Sequence, residues 1–345
     1  MKKVIFAIES SCDETAAAIV IDGTIEVSSS LATSKELHEK TGGVVPEVAA
    51  RKQLEFMLPV IEECLKGACD YFKEPDFRNI PKYVDAVAVT VGPGLAGSLV
   101  VGVEAAKALS LAWEKPLIPV NHLIGHIYAN YIGKSEATAP EFPALALVVS
   151  GGHTDLVLIK NHYDFEYLGG TLDDAAGECF DKSARLLGIS DYLGGVLLSK
   201  EAEKSKNSKI IGSLPRPLIN EDNYDFSFSG LKTAVKRYHE KNPNAVLADL
   251  CCEIEDSIVD TLVEKTTRAA NEYKVKNILV GGGVSANTKL RKILTEKSKV
   301  PVLFPEPRLC TDNAIYIASA AFFRPERVES SKIEVNPSLS VTDII

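Results

Sequence analysis

The sequence predicts an α/β protein made of two similar halves facing each other across a cleft. Apolar, β-branched runs alternate with segments of helical period along the chain. One outline also occurs twice. Each half opens strand, polar turn, strand, strand. Each closes with an apolar strand running into a Gly-rich turn and a helix: V-A-V-T-V-G-P-G-L-A-G at 87–97 and I-L-V-G-G-G-V-S-A-N at 278–287. At 345 residues there is room for two cores. The polar stretch Lys134–Phe142, with Pro140 inside it and Pro143 behind it, is the best linker. It divides the chain into an N-terminal α/β domain, 1–138, and a C-terminal α/β domain, 139–345.

Each element has its own signal. Val4–Ile8 and Ala16–Ile21 are apolar strands around the turn E-S-S-C-D-E-T, and Asp22-Gly23 turns the chain into a third strand, Thr24–Ser30. Ser34–Ala68 is helical, broken at Gly42-Gly43, with Pro46 suited to a first turn. Asp85–Val91 is a buried-type strand. Leu95–Trp113 is a nearly all-apolar helix, which fits a core or a partner surface. After Leu117–Val120 comes a helix with His122 and His126. The second half reads as strands at Ala144–Val149, Leu156–Ile159 and within Phe165–Gly170. Helices follow at Thr171–Leu187, Thr233–His239 and Ala245–Asn271, then a strand at Ile278–Val280 and a helix at Thr288–Glu296. After a strand at Val302–Phe304, the last helix, Thr311–Phe323, has Thr311 or Asp312 near its N-cap.

A net charge of −9 argues against a generally basic nucleic-acid coat but leaves room for a local basic patch. Seven scattered cysteines without a C-x-x-C fit reduced thiols in a cytoplasm. The apolar run behind Lys2 and Lys3 stops at Glu9, too short for a secretory leader, and Pro93, Glu104 and Lys107 interrupt the longest apolar stretch, so no membrane association is expected.

His122 and His126 fall on one helix face. Two imidazoles so placed can hold one metal ion, or they can simply pack. Leu123 occupies the position where a zinc protease helix carries its general base, which disfavours proteolysis. The Ser/Asp/Thr turn at 9–15 suits a phosphate or a metal-bound water, and equally an ordinary hairpin. Neither Gly-rich turn is a P-loop, since no G-K-[S/T] follows; each suits phosphate binding or tight packing.

The ordered set I-E-S-S-C-D-E-T, H-E-K-T-G-G-V-V-P-E-V-A-A-R, G-P-G-L-A-G-S-L-V-V-G, N-H-L-I-G-H, V-S-G-G-H-T, T-L-D-D-A-A-G-E-C-F-D-K, D-F-S-F-S-G-L-K-T-A-V, G-G-V-S-A-N and C-T-D-N resembles the bacterial TsaD family, from Val4 to about Ala321. These are tRNA N(6)-adenosine threonylcarbamoyltransferases, formerly described as glycoproteases. The resemblance implies the actin/Hsp70/sugar-kinase (ASKH) fold, two duplicated α/β domains around a nucleotide cleft. It implies a divalent metal, iron or zinc with iron favoured, held by His122, His126 and Asp312. With its third ligand far downstream, that metal is expected to tie the two domains together. The resemblance also implies an adenylate site lined by Val149, Ser150, Gly151, Gly152 and His153, with Asp181 as ribose contact, Gly195 as nucleoside turn and Asn287 as a ligand contact. Asp181 equally suits pairing with a neighbouring cation, and Asn287 an N-cap. Asp13 and Glu14 are lesser candidates beside phosphate or metal.

The chain departs from the family pattern at Tyr192-Leu193-Gly194-Gly195-Val196, where the family carries Y-P-G-G-P, and at Ser199, where it carries an acid. One ribose contact is thereby in doubt. Ala314-Ile315 stands where a Gly is common. The implied reaction moves a threonylcarbamoyl group from threonylcarbamoyl-AMP to the exocyclic amine of adenosine 37 in tRNAs reading codons that begin with A. No general base stands out; His153 is a candidate by position. The implied partners are tRNA, a TsaB-like paralogue and a TsaE-like ATPase. Lys200, Lys204, Lys206, Lys209, Arg216, Lys232, Lys236 and Arg237 are candidate phosphate contacts. The alternatives are a carbamoyltransferase acting on a small-molecule hydroxyl and a non-catalytic nucleotide-binding scaffold.

Overall fold

The computed structural model describes residues 2–206, 212–324 and 332–344. The chain forms two compact units. One comprises Met1–Pro140, His162–Asp164 and Pro305–Ile345; the other comprises Glu141–Asn161 and Phe165–Phe304. Pro305–Ile345 therefore packs with the first unit, whereas a single division near residue 138 assigns it to the second.

The first unit is laid out as β1 (Val4–Glu9), β2 (Glu14–Ile21), β3 (Ile25–Thr33), α1 (Lys35–Thr41), α2 (Pro46–Gly67), a short α3 (Cys69–Phe72), β4 (Ala86–Gly92), α4 (Ala96–Trp113), β5 (Leu117–Asn121) and α5 (His122–Tyr128). Its sheet has the order β3-β2-β1-β4-β5. The meander β1–β2–β3 is antiparallel; β4 and β5 run parallel to β1. Every residue of β1, β2, β4 and β5 is buried. Such strands are covered on both faces, which is why they read as continuous apolar runs.

The second unit contains β6 (Ala144–Val149), β7 (Thr154–Asn161), β8 (Asp164–Gly170), α6 (Ala176–Leu186), α7 (Gly195–Ala202), α8 (Ser229–Lys241), α9 (Leu247–Glu272), β9 (Asn277–Gly281), α10 (Thr288–Lys297) and β10 (Val302–Leu303). Its sheet order, β10-β9-β6-β7-β8, repeats that of the first unit strand for strand when read from the other edge. The recurring outline seen in the sequence is thus a duplicated topology. In this unit α7 lies where the sequence predicts no helix, and α6 and α8 start elsewhere than expected. α6 begins at Ala176, because Thr171 is held beside Phe226 in a β-bridge and the Thr171 hydroxyl caps the Asp174 carbonyl. α8 begins at Ser229, because the Asp173 carboxylate accepts from the Phe228 and Ser229 amides and from the Ser227 and Ser229 hydroxyls. Those bonds outweigh its burial and hold the Asp173 carboxyl down at about 2.

The chain then returns to the first unit with α11 (Ala314–Phe323), packed against β1, β2 and α5. On β1, Val4, Phe6 and Ile8 join a cluster with Met57 and Val60 of α2 and Val103 of α4. The two-residue period therefore turns Ile5, Ala7 and Glu9 to the opposite face, that of α5 and α11. The N-cap of α11 is Asn313, whose side-chain oxygen accepts from the Ile315 and Tyr316 amides at 3.1 and 3.3 Å. This corrects the expected cap at Thr311 or Asp312, and it leaves the Asp312 carboxylate for other use. α4 buries Leu99, Val103 and Ala106 and exposes Val100 and Leu111; it is the described helix long and apolar enough to cross a membrane.

A candidate metal centre and a candidate nucleotide loop

α5 starts directly at the end of β5. Asn121 caps it, accepting from the Leu123 amide at 2.9 Å, so His122 occupies the first helical position and His126 follows one turn later. Both are buried, and their rings lie 4.6 Å apart between centroids. α11 can approach them because residue 125 is glycine: a Cβ there would stand 2.7 Å from the Tyr316 ring and 2.8 Å from Ile317 Cδ1. Asp312, immediately before the α11 cap, presents Oδ1 at 3.5 Å from Nε2 of both His122 and His126.

This donor set fits one cation. Its three ligand atoms lie within 4.8 Å of one another. Two donors bound at 2.0–2.1 Å at tetrahedral angles stand about 3.4 Å apart. Asp13 and Glu14 crowd the same corner. Burial, with Asp312 and Asp13 nearby, pushes the Glu14 carboxyl up to about 9, even though Lys35 pairs with it. Positive charge placed there offsets that repulsion. All three ligands belong to the first unit. An ion bound by these three residues would take all of them from one unit, not from two as the sequence reading expects, because the chain comes back at Pro305 before Asp312 is reached.

Glu9, absent from the sequence-derived candidates, completes the site. It is fully buried, and its Oε2 is 3.0 Å from His122 Nδ1 and 2.6 Å from the Thr90 hydroxyl, while Oε1 accepts from the Ser11 amide at 2.6 Å. A carboxylate behind an imidazole fixes its tautomer and aims the other nitrogen at the ligand position. The signal available in the sequence was a lone acid closing an otherwise apolar strand. Without a metal, burial opposes charge on His122, but Asp312 and Glu9 prevail and raise its pKa to about 9. The two imidazoles in turn hold Asp312 well below the usual carboxylate range against its own burial, while burial lowers His126. Replacing Glu9 by Gln keeps the shape and removes the charge. Metal affinity in a competitive-chelator titration is expected to fall about 10- to 100-fold; an unchanged value would mean that Glu9 only packs.

In the second unit, V-S-G-G-H-T forms the tight turn between β6 and β7. The Ser150 amide donates to the His153 carbonyl at 2.8 Å, and the Gly152 and His153 amides reach the Ser150 hydroxyl at 3.4 and 3.1 Å. Among the described residues, the Gly151 amide is the one in this turn with no bond of its own inside the chain. Gly151 and Gly152 are exposed, and a Cβ on either would meet nothing within 4 Å. The far side of the turn is fixed by Gly177 of α6, which donates to the Ser150 carbonyl at 3.2 Å. Asp181 and Gly195 are brought together: Asp181 Oδ1 accepts from the Gly195 amide at 2.8 Å. Asn287 caps α10, accepting from the Leu290 amide at 2.8 Å, and donates to Glu255 Oε1 at 2.7 Å and Ser199 Oγ at 3.1 Å. Both amide protons of Asn287 are thus used inside the chain. Glu255, buried under this group, was not legible from sequence. Leu193, where the family pattern has proline, sits at φ +47°, a conformation uncommon outside glycine.

The candidate phosphate-binding cations sort differently than the sequence suggests. Arg216 is occupied internally, paired with the fully buried Glu253 at 2.5 Å and with Asp260 at 3.0 Å. Lys204 pairs with Glu201 at 2.5 Å. Lys236 lies 3.9 Å from Glu240. Lys200 and Lys206 are exposed, and Lys209 lies outside the described residues.

The duplicated topology is that of the actin/Hsp70/sugar-kinase class. Solved structures with this fold include HypF from T. kodakarensis (TM-score 0.59, 13% identity, 92% of this chain and 47% of that one). Component A of the Acidaminococcus fermentans (R)-2-hydroxyglutaryl-CoA dehydratase is another (TM-score 0.52, 15% identity, 94% and 96%). At the sequence level, residues 26–319 match the family described as TsaD, tRNA N6-adenosine threonylcarbamoyltransferase. Curated relatives of that name are 49% identical in Dehalococcoides mccartyi (98% of this chain, 99% of the relative) and 47% in Thermomicrobium roseum (94% and 92%). The relative in Bacillus subtilis is 45% identical (98% and 96%). The chain belongs to the TsaD family of tRNA-modifying transferases.

Proposed function

We propose that this chain transfers the threonylcarbamoyl group of threonylcarbamoyl-AMP to N6 of adenosine 37 in tRNAs that read codons beginning with A. The observation that carries this reading is the family match over residues 26–319, a span that contains His122, His126, Asp312 and the Ser150–His153 turn. N6 attacks the carbamoyl carbon, forming a C–N bond. The bond from that carbon to the phosphate oxygen breaks, AMP leaves with the electron pair, and N6 loses a proton.

The residues divide this work. The Ser150–His153 turn receives the adenylate: its open glycines let a ligand approach the backbone, and the Gly151 amide suits a phosphate oxygen. Asp181, with Gly195 at its carboxylate, takes the ribose. Asn287 serves this pocket as a cap that fixes Ser199 and Glu255, and Glu255 is the carboxylate beside position 199, where the family's acid is missing. Val149 closes the strand beneath the turn, and His153 is the candidate to take the proton. His122, His126 and Asp312 hold a divalent ion, iron or zinc, backed by Glu9; their N, N, O donors suit either. When bound, that ion supplies Lewis-acid polarisation of the carbamoyl oxygen. An aromatic amine is a poor nucleophile, so orientation contributes more than base strength. A TsaB-like paralogue and a TsaE-like ATPase are the expected protein partners, and the cytoplasm the expected compartment.

The test is reconstitution with those partners, threonylcarbamoyl-AMP and unmodified tRNA, read as threonylcarbamoyladenosine by nucleoside mass spectrometry. Transfer to a small-molecule hydroxyl in place of tRNA, or nucleotide binding without any transfer, would overturn the proposal. Gly152→Val separates the pocket from the fold. Its side chain enters open space, so stability is expected within about 0.5 kcal/mol of wild type. The KM for threonylcarbamoyl-AMP is expected to rise at least about tenfold, since displacing a ligand interaction of about 1.4 kcal/mol is tenfold in affinity.

A further inference from the structure

In the second unit, α8 starts beside the elements that hold the Ser150–His153 turn. Its first residue, Ser229, is tied to Asp173 just ahead of α6, and α6 is tied through Gly177 to Ser150. At 1.5 Å per residue the helix carries its far end about 18 Å from that start. Residues Gly230, Thr233, Ala234, Arg237 and Lys241 recur at helical spacing and line one side of an open groove of about 410 Å³. A second groove of about 450 Å³ adjoins it, sharing Tyr238, Lys241 and Asn242.

The groove is small and uncharged at its Gly230 end and cationic at its far end. α8 holds four cations and one carboxylate, a net of +3, in a chain whose net charge is −9. Among the described residues no carboxylate pairs with Lys232, Arg237 or Lys241, and Arg237 and Lys241 are exposed. A solvated face in an acidic protein ordinarily intersperses both signs; here the charged residues of α8 lining the first groove, Arg237 and Lys241, are both cations, while Asp249, which lines the adjoining groove, accepts from the Ser205 hydroxyl.

We propose that this α8 groove is a docking track for one strand of the tRNA sugar–phosphate backbone, with Arg237 and Lys241 on successive phosphates and the smooth Gly230–Ala234 end nearer the reacting base. The proposal rests on the tRNA-transferase reading, and adds where the nucleic acid lies. Unpaired cations one turn apart on a rigid helix suit a repeating anionic chain.

The experiment uses full-length chain. Binding of unmodified tRNA is measured by fluorescence anisotropy across a salt series, and steady-state transfer is measured with the partner proteins present. For Arg237→Gln/Lys241→Gln, tRNA affinity is expected to weaken about tenfold. The slope of log K against log salt is expected to shrink by about 1.5, since each phosphate no longer neutralised takes away about 0.7–0.9. The KM for tRNA should rise to match, with kcat and the KM for threonylcarbamoyl-AMP unchanged. Lys204→Gln, whose cation is already paired, should stay within about twofold. An unchanged affinity and salt slope in the double variant would overturn the proposal. So would loss of assembly with the partner proteins at unchanged tRNA affinity, which would make this face a protein-docking surface. Because anisotropy reads binding without catalysis, an inactive wild type would defeat the transferase reading while the groove is still judged by its own measurement.

Discussion

His126→Ala is expected to lower transfer by at least about 100-fold, with the bound divalent metal falling from near one per chain to a small fraction. The side chain is buried, and its Nε2 is one of two imidazole nitrogens 3.5 Å from Asp312 Oδ1. On the proposed metal reading, losing one of the three ligands would weaken charge stabilisation and positioning at the carbamoyl group, effects of a few kcal/mol together. Metal analysis and single-turnover transfer on the same preparation check the result; full activity in a metal-depleted variant would remove the metal from the reaction. The same site predicts a pH dependence. In the metal-free fold His122 is protonated up to about pH 9, held so by Asp312 and Glu9 against its burial. A metal needs the neutral imidazole, so uptake near neutral pH must displace that proton. Apparent metal affinity should therefore climb about tenfold per pH unit toward 9 and then level, with close to one proton released per ion in calorimetry across buffers of different ionisation enthalpy. A flat profile between pH 7 and 9 would contradict the His122–Asp312–Glu9 arrangement.

A large loss of stability is expected for Gly282→Ala. Gly282 lies at φ +92°, and a Cβ there would fall 2.3 Å from the Val149 carbonyl oxygen and 2.7 Å from its carbon. The neighbour is backbone, so relief requires β6 and the following turn to shift. Left-handed strain and overpacking together are expected to cost about 3 kcal/mol or more. For a unit of this size that lowers the melting temperature by about 6 °C or more. Gly283→Ala is the matched control: the adjacent residue's Cβ would meet nothing within 4 Å. Calorimetry should show the control near wild type. Equal losses in both would mean that helix-entry flexibility, and not the approach to Val149, is what residue 282 supplies.

Much of this fold is legible in the chain because its signals are local. The buried strands β1, β4, β6 and β9 are continuous apolar runs, and the recurring outline of the halves becomes the same strand order twice. Boundaries were less legible where a distant group sets them. α8 starts at Ser229 because Asp173, far upstream, supplies its cap. α11 starts at Ala314 because Asn313 outcompetes Thr311 and Asp312 for the free amides. The His122/His126 spacing was readable as one helix face. Asp312 came from resemblance, and Glu9 came only from the structure.

By itself, the sequence determined the α/β class, the duplication, the pairing of two imidazoles on α5 and membership of a transferase family, since these follow from period, composition and ordered motifs. Tertiary structure alone decided that Pro305–Ile345 returns to the first unit, so that Asp312 meets the histidines within one body. It alone placed Glu9 behind His122, committed Arg216 to Glu253, and left Arg237 and Lys241 without carboxylate partners among the described residues. The reason is physical: which charges pair depends on residues far apart in the chain sharing a few ångströms of low-dielectric space, and no local pattern carries that distance.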